Sequence, residues 1–407
     1  MATNTDIPQG YKATALGIIP QEWEVKTLGN IAEINPSKGK ITSKVVTFLA
    51  MSDISEQGGV INENILPIDS IKPGLTPFRK GDVIIAKITP CFENGKGALL
   101  DKITEDDGFG STEFHVIRCQ QDNKFVYYHT QSYAFRKRLE SQMTGSAGQK
   151  RVPADSVAAY KIAVPPLAEQ RKIAEVLGVW DEAIEKQARL IEKLALRKRG
   201  LMQRLLSAKL RLPGFSEPWK IHKLQELFTE RNETNRTDLP LLSITGDRGV
   251  ILQTESEKRD TSNDDKSKYK RIAKGDIGYN TMRMWQGRSA LSGLEGIVSP
   301  AYTIVVPNTD VDGYYMSVLF KQPRLIYDFW THSQGLVGDT LNCKYRDFGQ
   351  VHICCPPLAE QKAITEVLTA ADREIELAKE KLERLRRQKR GLMQQLLSGK
   401  KRVKINI

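Results

Sequence analysis

Apolar residues fall into two registers along this chain. From Pro165, and again from Pro356, they recur at alternating spacings of four and three, while the stretches between show short β-branched runs set off by Gly, Pro and Asp. In the first helical stretch one seam runs Ile173, Trp180, Gln187, Leu194, Leu201 and its companion runs Leu177, Ile184, Ile191, Lys198, Leu205. The second stretch gives Ile364, Ala371, Ala378, Leu385, Leu392 beside Leu368, Ile375, Leu382, Lys389, Leu396. A seven-residue period held for about five heptads is the signature of a coiled coil. The Pro-Pro pair that opens each stretch blocks helix before it and suits the first turn after it. About forty residues at ~1.5 Å each make a helix of roughly 60 Å.

The two stretches are copies of one another. Pro-Pro-Leu-Ala-Glu-Gln occupies Pro165–Gln170 and returns at Pro356–Gln361, and Arg199–Ser207 returns as Arg390–Ser398, all at an offset of 191. Such internal repetition governs the architecture and is read before anything else. The segments between correspond more loosely: Trp23 and Leu28 align with Trp219 and Leu224, and Lys80-Gly81-Asp82 aligns with Lys274-Gly275-Asp276. Val83–Ile88, Phe114–Ile117 and Tyr302–Val306 read as strands. One helix ending in Gly is expected from near Tyr127-Tyr128, and another from near Tyr314-Tyr315. The predicted fold is α+β with a pseudo-twofold repeat: a domain over 1–164, a long helix over 165–211, a second domain over 212–355 and a second helix over 356–407.

Charge settles how the helices pair. The net charge is +12 over 407 residues, a length that calls for more than one core. Residues 186–211 hold nine Lys/Arg against one Glu, and 377–402 hold ten against two, so each carries +8. Residues 165–185 and 356–376 each hold five acids and two bases, whereas 1–164 sums to +1 and 212–355 to zero. Each helix is therefore acidic at its start and basic at its end, which complements its own macrodipole. Parallel packing would set +8 against +8. Like charges along a whole seam select orientation even though single exposed pairs contribute little, so the coiled coil is expected to be antiparallel. Its core is assigned to Leu177, Trp180, Ile184, Ile191 and Leu194 against Leu368, Ile375, Leu382 and Leu385.

Catalytic motifs are missing. No Gly-rich phosphate loop is present, and Gly108–Glu113, which lacks the third glycine of a dinucleotide fingerprint, reads as a turn. The Asn-Pro-Pro-aromatic motif of amino-methyltransferases is absent, and Glu24-Val25-Lys26 has a nuclease-like spacing that is common by chance. The five histidines show no pair at metal-ligand spacing, so no metal site is expected. The five cysteines include Cys354 and Cys355 in an apolar run, which reads as buried thiols in a reducing, cytoplasmic setting. No leader or membrane span is expected.

Taken in duplicate and in order, the Pro-Pro-Leu-Ala-Glu-Gln openings, the Arg199–Ser207 and Arg390–Ser398 helix ends and the Trp23 and Trp219 domain openings resemble the specificity subunit of type I restriction–modification enzymes. The resemblance covers essentially the whole chain. It implies two target-recognition domains that each read half of a bipartite DNA site, with the paired helices as spacer. It further implies docking of two methylase subunits and, through them, of motor–nuclease subunits. No cofactor is implied for this chain; S-adenosylmethionine and ATP with magnesium belong to those partners. The competing readings are a coiled-coil scaffold that binds no DNA, favoured by the near-neutral domains, and a stand-alone nuclease.

If the domains bind DNA, two loops in each have suitable chemistry, because glycines admit phosphate closely while amides and cations supply donors. In the first domain these are Lys87–Gly97, with Lys87, Thr89, Asn94 and Lys96, and Gly145–Val152, with Gln149, Lys150 and Arg151. In the second they are Asn280–Arg288, with Asn280, Arg283, Trp285, Gln286 and Arg288, and Gly335–Lys344, with Lys344. Trp285, an aromatic between two arginines in a polar loop, reads as a contact residue.

Overall fold

The computed structural model describes residues 7–146, 148–246, 248–256, 264–335 and 341–405. These divide into two units, Met1–Ala188 with Glu380–Ile407 and Arg189–Lys379. The long helices are thus shared out, half of each going to each unit, where the sequence set them apart as segments of their own.

The first unit is built on a four-stranded antiparallel sheet ordered Ala32–Ile34, Phe114–Cys119, Val83–Ala86, Gly97–Leu99. All four residues of Val83–Ala86 are buried, the reason this run is uniformly apolar rather than alternating. The second unit repeats the sheet in the same order with Phe228–Glu230, Tyr302–Pro307, Ile277–Asn280 and Ser289–Leu291. The three runs read as strands are strands. The Lys-Gly-Asp turn enters the sheet in both units, and its glycine is required: φ is +88° at Gly81 and +93° at Gly275. The aspartate closes the turn, Asp82 accepting from the Arg79 amide and Asp276 from the Ala273 amide.

A further sheet in the first unit orders Asn64–Pro67, Val45–Leu49, Asp107–Gly110 and Thr76–Arg79. This corrects the turn expected at Gly108–Glu113, since Gly108–Gly110 pair with Thr47–Leu49 and the chain turns only after Gly110. The glycine is there for packing: a Cβ at Gly108 would lie 2.1 Å from the Phe78 ring.

Each single helix expected after the sheet is two. Asn123–Gln131 starts before the tyrosines because the Asp122 carboxylate caps the Phe125 amide. It stops at Ser132, whose hydroxyl donates to the His129 carbonyl and caps the next helix, Tyr133–Glu140, at the Phe135 amide. In the second unit Gly313–Leu319 is capped by Asp312, and Pro323 opens Pro323–His332.

The strand leading into each long helix pairs with the strand after the opening tryptophan: Lys161–Val164 with Glu24–Thr27, and His352–Cys355 with Lys220–Lys223. Strand alternation buries Cys355 and exposes Cys354, so only one of that pair is a buried thiol. Burial pushes the Cys355 thiol up to about 11.

The long helices run Leu167–Leu205 and Leu358–Leu397. In the first unit Ile173, Ala174 and Leu177 share a core with Met393, Leu396 and Leu397. In the second Leu205 and Leu206 meet Ile364 and Leu368, while Ile191 and Leu194 meet Ile375 and Ala378. Within each unit, then, the start of one helix lies with the end of the other, and the pairing is antiparallel. Leu382 is buried and Trp180, Ile184 and Leu385 are half-buried on the same seam. Basic ends meet acidic starts: Lys389 pairs with Asp181, Lys198 with Asp372 and Arg197 with Glu374.

The repeated Pro-Pro-Leu-Ala-Glu-Gln motif has a concrete task. Glu169 is fully buried and accepts from the Trp23 indole at 3.0 Å and from the Arg402 guanidinium through both oxygens. Glu360 does the same with Trp219 and Arg211. Gln170 and Gln361 turn back on the proline carbonyls of Pro165 and Pro356, each at 2.9 Å. Every unit therefore carries one socket into which an arginine from beyond a helix end plugs. A tyrosine hydroxyl adds a second tie: Tyr128 donates to Asp181 at 2.7 Å and Tyr314 to Asp372 at 2.6 Å. Tyr128 lies six residues past its helix cap and Tyr314 two past, one turn apart on the same face. Among the described residues no helix is long and apolar enough to cross a membrane.

Candidate nucleic-acid interface

The strand of buried residues at the centre of each main sheet ends in a loop, and a second loop folds against it. In the first unit the Thr89 amide donates to the Lys150 carbonyl and the Val152 amide to the Lys87 carbonyl, both at 2.9 Å. In the second the Cys343 amide donates to the Thr281 carbonyl at 2.8 Å, while Gln334 and Asn342 exchange amide–carbonyl bonds. The four loops singled out by composition are thus two surfaces, one per unit, built to one plan. Residues 147 and 336–340, which fall in these loops, lie outside the described residues.

Their anchors differ. Arg136, buried to 8% exposure, donates to the carbonyls of Thr130, Phe92 and Gly95 and stacks 4.8 Å from the Phe92 ring centroid. Among the described residues no carboxylate pairs with it, and burial pulls its guanidinium down to about 10. Among the described residues the second loop has no such cation. It makes a short 3-10 turn at Met284–Gln286 with Met284 buried, and left-handed Gly287 (φ +71°) seats against Ile326.

The predicted contact residues divide by whether the fold already uses them. The side chains of Lys87, Gln149, Lys150, Arg283, Gln286, Arg288 and Lys344 have no hydrogen bond or ion pair among the described residues, and all except half-buried Lys87 are exposed. Others are engaged. Asn94 donates to Glu56, Thr89 to Glu93 and the Lys96 ammonium to the Met51 carbonyl. Arg151 forms a forked pair with Glu113, which holds that carboxyl below the usual range. Asn280 accepts from the Met282 amide, and the half-buried Trp285 donates its indole N–H to the Met282 carbonyl. Behind the first surface His115 bonds the Val152 carbonyl at 2.8 Å, with its basicity lowered by burial. Glu24 and Lys26 only pair with each other. No cluster of three or more His, Cys, Asp or Glu able to hold a metal occurs among the described residues.

The family described as "Type I restriction modification DNA specificity domain" matches residues 20–195, from the first tryptophan into the first long helix. The specificity subunits of the Escherichia coli type I restriction enzymes EcoAI and EcoEI are 42% and 38% identical over 160 and 161 residues, 38% of this chain. A putative specificity subunit of a Methanocaldococcus jannaschii type I enzyme, MjaX, is 26% identical over 97% of both chains. The chain is thus similar to type I restriction enzyme specificity subunits, closely over 160 residues and more distantly over its whole length. It spans 27% of the length of the two E. coli relatives. Solved structures share the fold end to end. A chain from a study of complex assembly and conformational transition of the type I R-M system has TM-score 0.61 at 19% identity, covering 94% of this chain and 99% of its own. The S subunit from M. genitalium has TM-score 0.53 at 14% identity, covering 98% of each.

The residues missed from sequence are those that shape the surface without facing out. Arg136 sits in a run with Lys137 and Arg138, and nothing in that run marks which cation turns inward. Glu113 lies in a Gly-Ser-Thr-Glu stretch whose only signal was a turn. Tyr327 and Trp330, exposed beside the second loop, were not singled out at all.

Proposed function

We propose that this chain is the DNA-recognising, non-catalytic subunit of a type I restriction–modification complex and reads an asymmetric bipartite target, one half-site per unit. The observation that carries the reading is the pair of two-loop surfaces, alike in backbone plan and unlike in side chains. Exposed cations and amides that the fold leaves unused are what base edges and phosphates require. The near-neutral charge of each domain is compatible with this, because Lys87, Lys150, Arg283, Arg288 and Lys344 concentrate on the loops.

The duplicated helix pair is the proposed seat of the partners. Two copies of one surface suit two copies of one methylase, and the motor–nuclease subunits join through that assembly. S-adenosylmethionine and ATP with magnesium act on those partners, and the complex works in the cytoplasm with the DNA. Selection from random-sequence DNA by the purified full chain with its methylase, together with the native mass, tests the reading. A gapped motif with two different halves and two methylases per chain is expected. Recovery of no motif would favour the scaffold reading, and metal-dependent cleavage by the chain alone would favour the nuclease.

A further inference from the structure

The helix after Ser132 and the helix after Gln322 are the same element in the two units, and they expose different chemistry at the same positions. Five and eight residues past the cap, the first unit has Lys137 and Glu140, an ordinary surface ion pair at 3.2 Å. The second has Tyr327 and Trp330, 60% and 46% exposed, with ring centroids 5.5 Å apart and planes tilted by 39°. The first unit shows that the fold does not need apolar groups here. An exposed tyrosine–tryptophan pair has a large apolar surface and fixed geometry, the combination that binding surfaces favour.

Its surroundings identify the occupant. The residue before Tyr327 is Ile326, on which Gly287 of the second loop rests, so the helix that carries the pair packs on the loop of Arg283, Gln286 and Arg288. Exposed Arg324 and Met282 lie on the same helix and loop. A protein partner bound in two identical copies would need its surface twice, and this pair occurs once. What differs between the two halves, on the proposed function, is the DNA. We infer that Tyr327 and Trp330 extend the second recognition surface as an aromatic contact to DNA, packing on a base face or deoxyribose at the edge of that half-site while the neighbouring arginines hold phosphate. The inference rests on the proposed DNA-binding role.

The test compares Tyr327→Ala/Trp330→Ala with Tyr327→Lys/Trp330→Glu, which transplants the pair the first unit already carries, in the full chain with its methylase. Both variants should melt like the parent. Each should bind cognate DNA about 5- to 100-fold more weakly, the range for losing aromatic contacts to bases. The dependence of log K on log salt should keep its slope in the alanine variant, because no phosphate contact is removed. Selectivity at the first half-site should be untouched. Unchanged DNA affinity in both variants, with Arg283→Ala still weakening binding, would overturn the aromatic contact and leave the DNA-binding role standing. If Arg283→Ala and Arg288→Ala are also without effect, the DNA-binding role itself fails, and the contact with it.

Discussion

The loop over residues 87–97 and the loop over 280–288 leave equivalent strands and are held down by opposite chemistry. The first is tied by a buried guanidinium to three carbonyls, Thr130, Phe92 and Gly95. The second is held by the buried Met284 side chain and by Gly287 packed on Ile326. By contrast the sockets at Glu169 and Glu360 match partner for partner, indole and guanidinium alike. Duplication has preserved the frame and let the loop surface diverge, down to the side chains that fix its shape. A directional anchor and an apolar one also fail differently. Losing the first leaves polar groups stranded; losing the second leaves only a partial cavity.

The largest effect should therefore come from Arg136→Ala, which strands the Thr130 and Gly95 carbonyls, leaves the Phe92 carbonyl only the Gly95 amide, and should cost about 3–5 kcal/mol. Ile326→Ala, at the equivalent position but half-buried, should cost only about 1–2 kcal/mol. Urea unfolding of the full chain, with hydrogen exchange to assign the loss to one unit, checks both. Equal losses would erase the distinction between the anchors.

The sockets sharpen the contrast from the other side. Glu169→Gln and Glu360→Gln each remove the charge of a buried carboxylate that holds an indole and a half-exposed arginine fork, and should each cost about 1–3 kcal/mol. Arg402 keeps Glu22 as a second partner while Arg211 keeps only the Glu217 carbonyl, so the Glu360 socket should lose the more, by less than about 1 kcal/mol. A difference above about 1 kcal/mol would mean that the frame has diverged as the loops have.

At the surfaces themselves, Arg283→Ala or Gln286→Ala should relax the second half-site by ~1–3 kcal/mol per lost base contact and leave the first as stringent as before. Target selection on randomised DNA separates the halves. Relaxation at both would show that the surfaces are not independent readers.

Acid should also distinguish the units. His129, buried with its Nε2 unpaired, has its basicity pulled down to about 3 by burial. Between that value and the unfolded ~6.5 the unfolded chain takes up a proton that the folded chain refuses, so stability falls as pH falls through this window. At pH 5 the loss should be roughly 1–2 kcal/mol, confined to the first unit. His222, His332 and His352 of the second are none of them fully buried. Unfolding at pH 7 and pH 5 measures it, and His129→Leu should leave only the smaller share that His115 contributes.

Much of the frame was legible in sequence because its physics is periodic. A heptad seam, a Pro-Pro stop and opposite charge blocks name helix, start and orientation without reference to anything distant. The strands showed for the same reason, as runs of branched residues between Gly and Asp. What sequence could not give was pairing at a distance. Glu169 is a letter in a motif until Arg402, 233 residues away, is seen on it. Likewise the four candidate loops became two surfaces only through the Thr89–Lys150 and Thr281–Cys343 backbone bonds. The helix break at Ser132 turned on one hydroxyl choosing the His129 carbonyl, a local competition that propensity does not resolve.

The most direct test of two unlike readers on one duplicated frame is methylation-sensitive sequencing of DNA modified by this chain with its methylase. One gapped motif whose two halves differ in sequence and whose spacing is constant is expected. A palindromic motif, or a single uninterrupted one, would contradict it.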